Sequence, residues 1–411
     1  MATIIFKPTE ACNAACAYCE VDHKGWRATK IMPAETLELL FVRINEFLLE
    51  CSRETVELIW HGGEPLLLGE DYFSNALSFQ EKHCGATSRR IRHRIQTNLT
   101  LFSPKFTDIF RRLGITNIGT SYDPVEGVRL LKGKRDANEY NRQFMQGVSL
   151  LEKEGFRWGL IYVVTKLSLD KPLDIFHFLT NLACDGGVMF NPLTAAEGLY
   201  DHLTITAEEF TEFLGAIFTV WWNCRERYPR VEPFHSLTRA IASENHPVYF
   251  CADSGNCANT HINLGPQGRW SHCGRSADCG QLDYGSIFDR TIADVFADPK
   301  RDELRRRGEI LLKGECAGCK YWTICHGGCP LDGWHNTGSF LGKTTWCHSK
   351  REFIERYFLP ITGIRANFAQ DDHYNPAIAA DSLSANVAPP DPHATPGMEK
   401  VLSRRLLKTP A

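Results

Sequence analysis

TIIFKPTEACNAACAYC, residues 3–19, begins with a run that reads as a β-strand, residues 3–6, and passes at once into three cysteines spaced C-x3-C-x2-C. Cys12, Cys16 and Cys19 on one loop can hold three corners of a cubane iron–sulfur cluster and leave the fourth iron open. A zinc site wants a fourth donor, which His23 could supply, so the spacing alone leaves both metals open. Further strand-like runs follow at residues 56–60, 91–97, 116–121, 160–164 and 188–190, with longer amphipathic stretches between them. One of these, residues 33–49, has Pro33 at its first turn and a single apolar face of Leu37, Leu40, Phe41, Ile44, Phe47 and Leu48. Ser103 before Pro104 starts another helix, and Thr206 with Glu209 forms a capping box for one running to about Tyr228. Sequential βα units pair in parallel with right-handed crossovers, so the fold is α/β, either an open doubly wound sheet or a full or partial barrel.

The 411 residues are 43% hydrophobic and 23% charged, the composition of a globular chain long enough for two domains and a tail. A formal net charge of -3 supplies no field to recruit nucleic acid or an anionic membrane. No run approaches the ~18 apolar residues of a membrane span, and the first residues carry no basic, apolar, small-residue signal, which points to the cytoplasm. Sixteen cysteines cannot persist as disulfides in that reducing compartment, so most of them belong to metal or iron–sulfur sites. Cys51, Cys84, Cys184 and Cys224 stand alone and read as small core residues. The expected division is a barrel over 1–230, a linker helix and cysteine-rich domain over 231–360 that needs staples in place of a core, and a disordered tail over 361–411.

CNAACAYC resembles the cysteine motif of the radical S-adenosylmethionine (SAM) superfamily, with Tyr18 at its aromatic position. After the second strand, Gly62, Gly63, Glu64 and Pro65 resemble that family's Gly-Gly-Glu-Pro loop, in which glycines let backbone approach a ligand and Glu64 can accept from an ammonium. QTNLTL, with Gln96 and Asn98, and GTSYD, with Ser121, resemble the segments closing strands three and four. Arg129 resembles the arginine that pairs with the cofactor carboxylate, with Arg135 and Arg142 close by. The resemblance covers residues 3 to about 195 and implies a partial (β/α)6 barrel holding S-adenosylmethionine at the C-terminal mouth of its strands.

The second half contains Cys257, Gly268 and Cys273, then Cys316-x2-Cys319-x5-Cys325-x3-Cys329, then Cys347. This resembles the SPASM domain appended to radical SAM enzymes that modify peptides and proteins. Carried over by position, it implies two auxiliary [4Fe-4S] clusters, one on Cys251, Cys257, Cys273 and Cys329 and the other on Cys316, Cys319, Cys325 and Cys347. Cys279 competes with Cys251 for the first, and paired zinc ribbons are the other metal that C-x2-C spacing allows. With the open-iron cluster the total is three.

The resemblance implies a 5′-deoxyadenosyl radical that takes hydrogen from unactivated carbon of a peptide. In sulfatase-maturing relatives an aspartate directly follows the third SPASM cysteine and acts as base; here Gly274 stands there, with Asp278 and Asp283 nearby. The expected function is maturation of a ribosomally made precursor peptide by cross-linking its side chains. Anaerobic formylglycine formation on a sulfatase is the alternative, and a non-catalytic iron–sulfur electron carrier the minor one. Expected partners are the precursor peptide and an electron donor such as flavodoxin or ferredoxin. The chain opens straight into its first strand, so recognition of a leader falls to the SPASM surface, the tail or a separate leader-binding protein.

Overall fold

The computed structural model describes residues 1–19, 21, 31–133, 136–182, 185–194, 198, 200–242 and 251–364. The six expected strands all form: β1 (Ala2–Phe6), β2 (Val56–Trp60), β3 (Ile91–Thr97), β4 (Asn117–Ser121), β5 (Arg157–Val164) and β6 (Val188–Pro192). They pair in sequence order, all parallel. The crossovers carry α1 (Ala34–Glu50), α2 (Gly69–Cys84), α3 (Pro104–Arg112), α4 (Ala137–Lys153), α5 (Pro172–Asn181) and α6 (Ala207–Cys224). Thr206 and Glu209 make the reciprocal capping box ahead of α6, which gives way to a 3-10 turn at Arg225–Arg227. The apolar face of α1 is fully inside: Leu37, Leu40, Phe41 and Ile44 have no exposed surface and pack under Ile4, Phe6 and Trp60 of the sheet.

The sheet does not stop at six strands. β7 (Val231–Glu232) joins β6 in parallel, β8 (His261–Leu264) joins β1 in parallel, and β9 (Arg269–Ser271) with β10 (Asp283–Ser286) extends that side antiparallel. The order of the resulting ten-stranded sheet is β10-β9-β8-β1-β2-β3-β4-β5-β6-β7. The segment after Cys251 therefore has apolar packing as well as cysteines: Ile262, Leu264, Trp270 and Tyr284 belong to the same buried cluster as the barrel. Of the lone cysteines, Cys84 is buried while Cys51 and Cys224 are half-buried. Cys184 and residues 365–411 of the tail lie outside the described residues. Among those described, no helix is long and apolar enough to cross a membrane.

Candidate active site

The three-cysteine loop lies over the C-terminal ends of the strands and is tied down first by backbone hydrogen bonds. Ala15 and Ala17 N–H groups donate to Leu130 and Val128 carbonyls at 2.8 and 2.9 Å, and Lys132 N–H donates to Asn13 O at 2.7 Å. On its other side the Gly-Gly-Glu-Pro loop runs against it, Gly63 N–H reaching Thr9 O at 3.0 Å and Glu64 N–H reaching Ala11 O at 2.8 Å. A Cβ on Gly62 would collide with Thr9 O, and one on Gly63 with Ala11 O. The glycines thus serve an approach of two loops to each other.

Glu64 is completely buried and accepts three hydrogen bonds: Oε1 from Leu66 N–H at 2.9 Å and Thr97 Oγ1–H at 2.7 Å, Oε2 from Asn98 N–H at 2.7 Å. Burial pushes its carboxyl up to about 7 despite those donors. Its first task is to lock the loop after β2 onto the end of β3. Glu64→Ala leaves two buried N–H groups without acceptors, each worth about 1–3 kcal/mol, so stability should fall by about 2–6 kcal/mol in denaturant titration. An unchanged midpoint would make the residue a ligand contact only.

The other residues expected at a cofactor pocket meet at the same mouth. Asn98 Nδ2 lies 3.8 Å from Cys12 Sγ and donates to Asn13 Oδ1 at 2.9 Å; Gln96 Nε2 donates to Ser121 Oγ at 3.0 Å. Arg129 is 7% exposed and is held by Asp123, by the Tyr18 hydroxyl at 2.8 Å and by the Tyr140 hydroxyl at 3.4 Å, with Nη1 3.7 Å from Cys16 Sγ. Tyr18 in turn donates to Asp123 at 2.6 Å. Arg129 thus braces the cysteine loop. Asp123 and Tyr140 were missed, although Asp123 ends the GTSYD segment that drew attention to Ser121. His23 and Arg135 lie outside the described residues, and Arg142 pairs with Glu139 on the exposed face of α4.

The second half supplies its own convergence. Cys257 stands within electrostatic reach of Cys251 and Cys273, and Cys329 within reach of Cys273 and Cys251. Cys316 stands likewise to Cys325, Cys347 and Cys319. Cys279 meets His335 Nε2 at 3.6 Å. Burial pushes the Cys12 and Cys257 thiols up to about 12, so loading of metal has to displace their protons. Donors already aim at sulfur: Ala14 N–H at Cys12 (3.3 Å), Ser276 N–H at Cys273 (3.4 Å) and Arg275 Nη1 at Cys329 (3.6 Å). This donor set fits iron–sulfur clusters, whose thiolates accept such bonds. Among the described residues no three His, Cys, Asp or Glu side chains gather at the spacing of a single metal ion.

Between the two halves sits Lys7, the residue after β1. It is 1% exposed, and its Nζ donates to both carboxylate oxygens of Asp278 at 2.6 and 2.7 Å and to Gly274 O at 3.0 Å. A Cβ built on Gly274 would lie 3.2 Å from Lys7 Cε. His61 completes the group; burial and the Lys7 ammonium bring it down to about 4, leaving a neutral imidazole. Asp283 is exposed and pairs with Arg269 on the outer hairpin. Lys7→Met strands the Asp278 carboxylate, and removing one partner of a buried pair costs about 3–5 kcal/mol. A thermal or denaturant midpoint equal to the parent's would show that water takes over the pairing.

The sequence model of the Radical SAM superfamily matches residues 6–179. A serine-type anaerobic sulfatase-maturating enzyme from Bacteroides thetaiotaomicron is 25% identical over 81% of this chain and 84% of its own length. A cysteine-type enzyme from Clostridium perfringens is 25% identical over 89% and 98%. Among solved structures, native anSMEcpe with bound AdoMet superposes with a TM-score of 0.75 at 22% identity, covering 89% of this chain and 99% of that one. SuiB of Streptococcus suis bound to S-adenosylmethionine gives 0.57 at 16%, covering 83% and 76%.

Proposed function

From a chain whose residues 6–179 are a radical SAM domain, and which is an enzyme of that chemistry, we propose a maturase of ribosomally made precursor peptides that cross-links side chains of its substrate. Cys12, Cys16 and Cys19 hold the open-iron cluster. Gly62, Gly63, Glu64, Pro65, Gln96, Asn98, Ser121 and Arg129, with Tyr18, shape the S-adenosylmethionine pocket. The cluster and S-adenosylmethionine together supply abstraction of hydrogen from unactivated carbon. The chain's own part is to fix the cysteine loop through Glu64 and Arg129 and to close the mouth against water. Cys251, Cys257, Cys273 and Cys329 ligate one auxiliary cluster, and Cys316, Cys319, Cys325 and Cys347 the other. Four thiols on each leave no open iron, which suits electron transfer to or from a flavodoxin or ferredoxin.

The observation that carries the reading is Gly274 beneath Lys7. Where a sulfatase-maturing relative has its basic aspartate, this chain presents an ammonium group that is itself bound to Asp278. A peptide substrate agrees with the peptides in solved forms of the two structural neighbours, Cp18Cys on anSMEcpe and the precursor SuiA on SuiB. A second reading, formylglycine formation on a sulfatase, is favoured by the names of the sequence relatives. Anaerobic incubation with reductant, S-adenosylmethionine and either a precursor encoded beside the gene or a sulfatase peptide separates them by tandem mass spectrometry. Loss of about two hydrogens per bond in the precursor is expected. Formylglycine in the sulfatase peptide with an unchanged precursor reverses the assignment.

A further inference from the structure

Helix Lys300–Lys313 carries Arg307 inward to a point between the two cysteine sets, where only 4% of the residue is exposed. Its Nη1 donates to Gly328 O at 2.7 Å and His326 O at 3.5 Å, its Nη2 to Gly327 O at 2.9 Å and Gly342 O at 2.8 Å. His326, Gly327 and Gly328 are the whole of the segment joining Cys325 of one set to Cys329 of the other. All three adopt left-handed backbone, with φ of 46°, 78° and 73°, and each turns its carbonyl onto the guanidinium. Three such residues in succession need a reason, since a non-glycine residue such as His326 resists positive φ.

Among the described residues no carboxylate pairs with Arg307, and its buried Nε has no hydrogen-bond partner. An isolated buried cation is costly unless negative charge stands near it. Its largest charge interactions are with sulfurs that become thiolates on ligating iron: Cys257 and Cys329 of the first set, Cys316 and Cys325 of the second. A small cavity beside it is lined by Cys251, Cys257, His326 and Gly328.

We propose that Arg307 is the shared counter-charge of the two auxiliary iron–sulfur clusters, a positioning residue that fixes the segment linking them and raises both reduction potentials together. The proposal rests on the reading that these two cysteine sets hold clusters. A fixed positive charge favours the reduced, more negative state of each, so its removal lowers both potentials. Arg301 provides the contrast, because its buried guanidinium holds Ala258 O and His261 O and its leading thiol interaction is with Cys257 of the first set.

The experiment uses the full chain, reconstituted anaerobically, carrying Cys12→Ala, Cys16→Ala and Cys19→Ala so that only auxiliary signals remain. Iron and sulfide analysis of that parent comes first, and a parent without iron sinks the cluster reading independently of Arg307. Potentials are then read by electron paramagnetic resonance during redox titration. In Arg307→Gln the reduction equilibrium of both clusters should fall about tenfold, which is about 59 mV for a one-electron couple. Arg307→Lys should stay within about twofold of the parent, and Arg301→Gln should move one cluster alone. Unmoved potentials in Arg307→Gln, or movement of one cluster only, overturn the proposal. If Arg307→Gln takes up no iron, Arg307→Lys decides. Full loading with near-parental potentials supports the shared charge, whereas failure to load, or potentials lowered tenfold with the charge retained, makes the residue purely structural.

Discussion

Alanine at Cys12, Cys16 and Cys19 together is expected to abolish reductive cleavage of S-adenosylmethionine while leaving about eight of about twelve irons in the protein. The loss should be specific. The loop that carries these thiols is held by backbone bonds to Val128, Leu130 and the Gly-Gly-Glu-Pro segment, none of which uses sulfur. The Arg129 brace keeps its partners Asp123, Tyr18 and Tyr140 when Cys16 is gone. Iron and sulfide analysis with chromatography for 5′-deoxyadenosine is the measurement. Cleavage at the parental rate in the triple variant would place the reactive iron elsewhere, and a fall to no iron would mean that the second half cannot load alone.

A sulfatase-type peptide carrying Ser or Cys should be oxidised 10²–10⁴-fold more slowly than the enzyme's own precursor is modified, the usual contribution of a general base. The reasoning is geometric. A Cβ at position 274 would stand 3.2 Å from Lys7 Cε and 3.3 Å from Ile5 Cγ2, tighter than ordinary contact, and the Asp278 carboxylate accepts from the Lys7 ammonium through both oxygens. Asp283 faces solvent and pairs with Arg269. Initial rates on both peptides, followed by mass spectrometry under one set of conditions, give the ratio; a value near unity would assign proton removal to Asp278 despite its partner.

The barrel was legible because its signals are local. Residues 56–60 and 91–97 read as strands and are strands to the residue, since alternation and β-branched content reside within five to seven positions. β8 and β9 were not legible: four and three residues carry too little pattern, and they form because β1 and its neighbours offer a partner. Among site residues the cysteines declared themselves by spacing. Lys7 did not, because a charged residue after a strand ordinarily reads as solvated, and its partner Asp278 is 271 positions away. Glu64 and Arg129 were found, but as ligand contacts; that their hydrogen bonds close on the chain itself depends on loop packing that no local window encodes.

The pairing of β1 with β8 sets an order on the birth of the molecule. Thr3 lies opposite Glu57 on one side, yet its other edge waits for His261. At ribosomal rates the interval between emergence of the two strands is roughly 15–50 s, during which the nascent sheet presents a bare parallel edge of the kind that recruits foreign strands. Closing so long a chain segment also makes this the slow contact of the fold. Chaperone dependence during expression, and insolubility of any version shortened before His261, are the expected outward signs of a sheet whose first strand is finished by nearly its last.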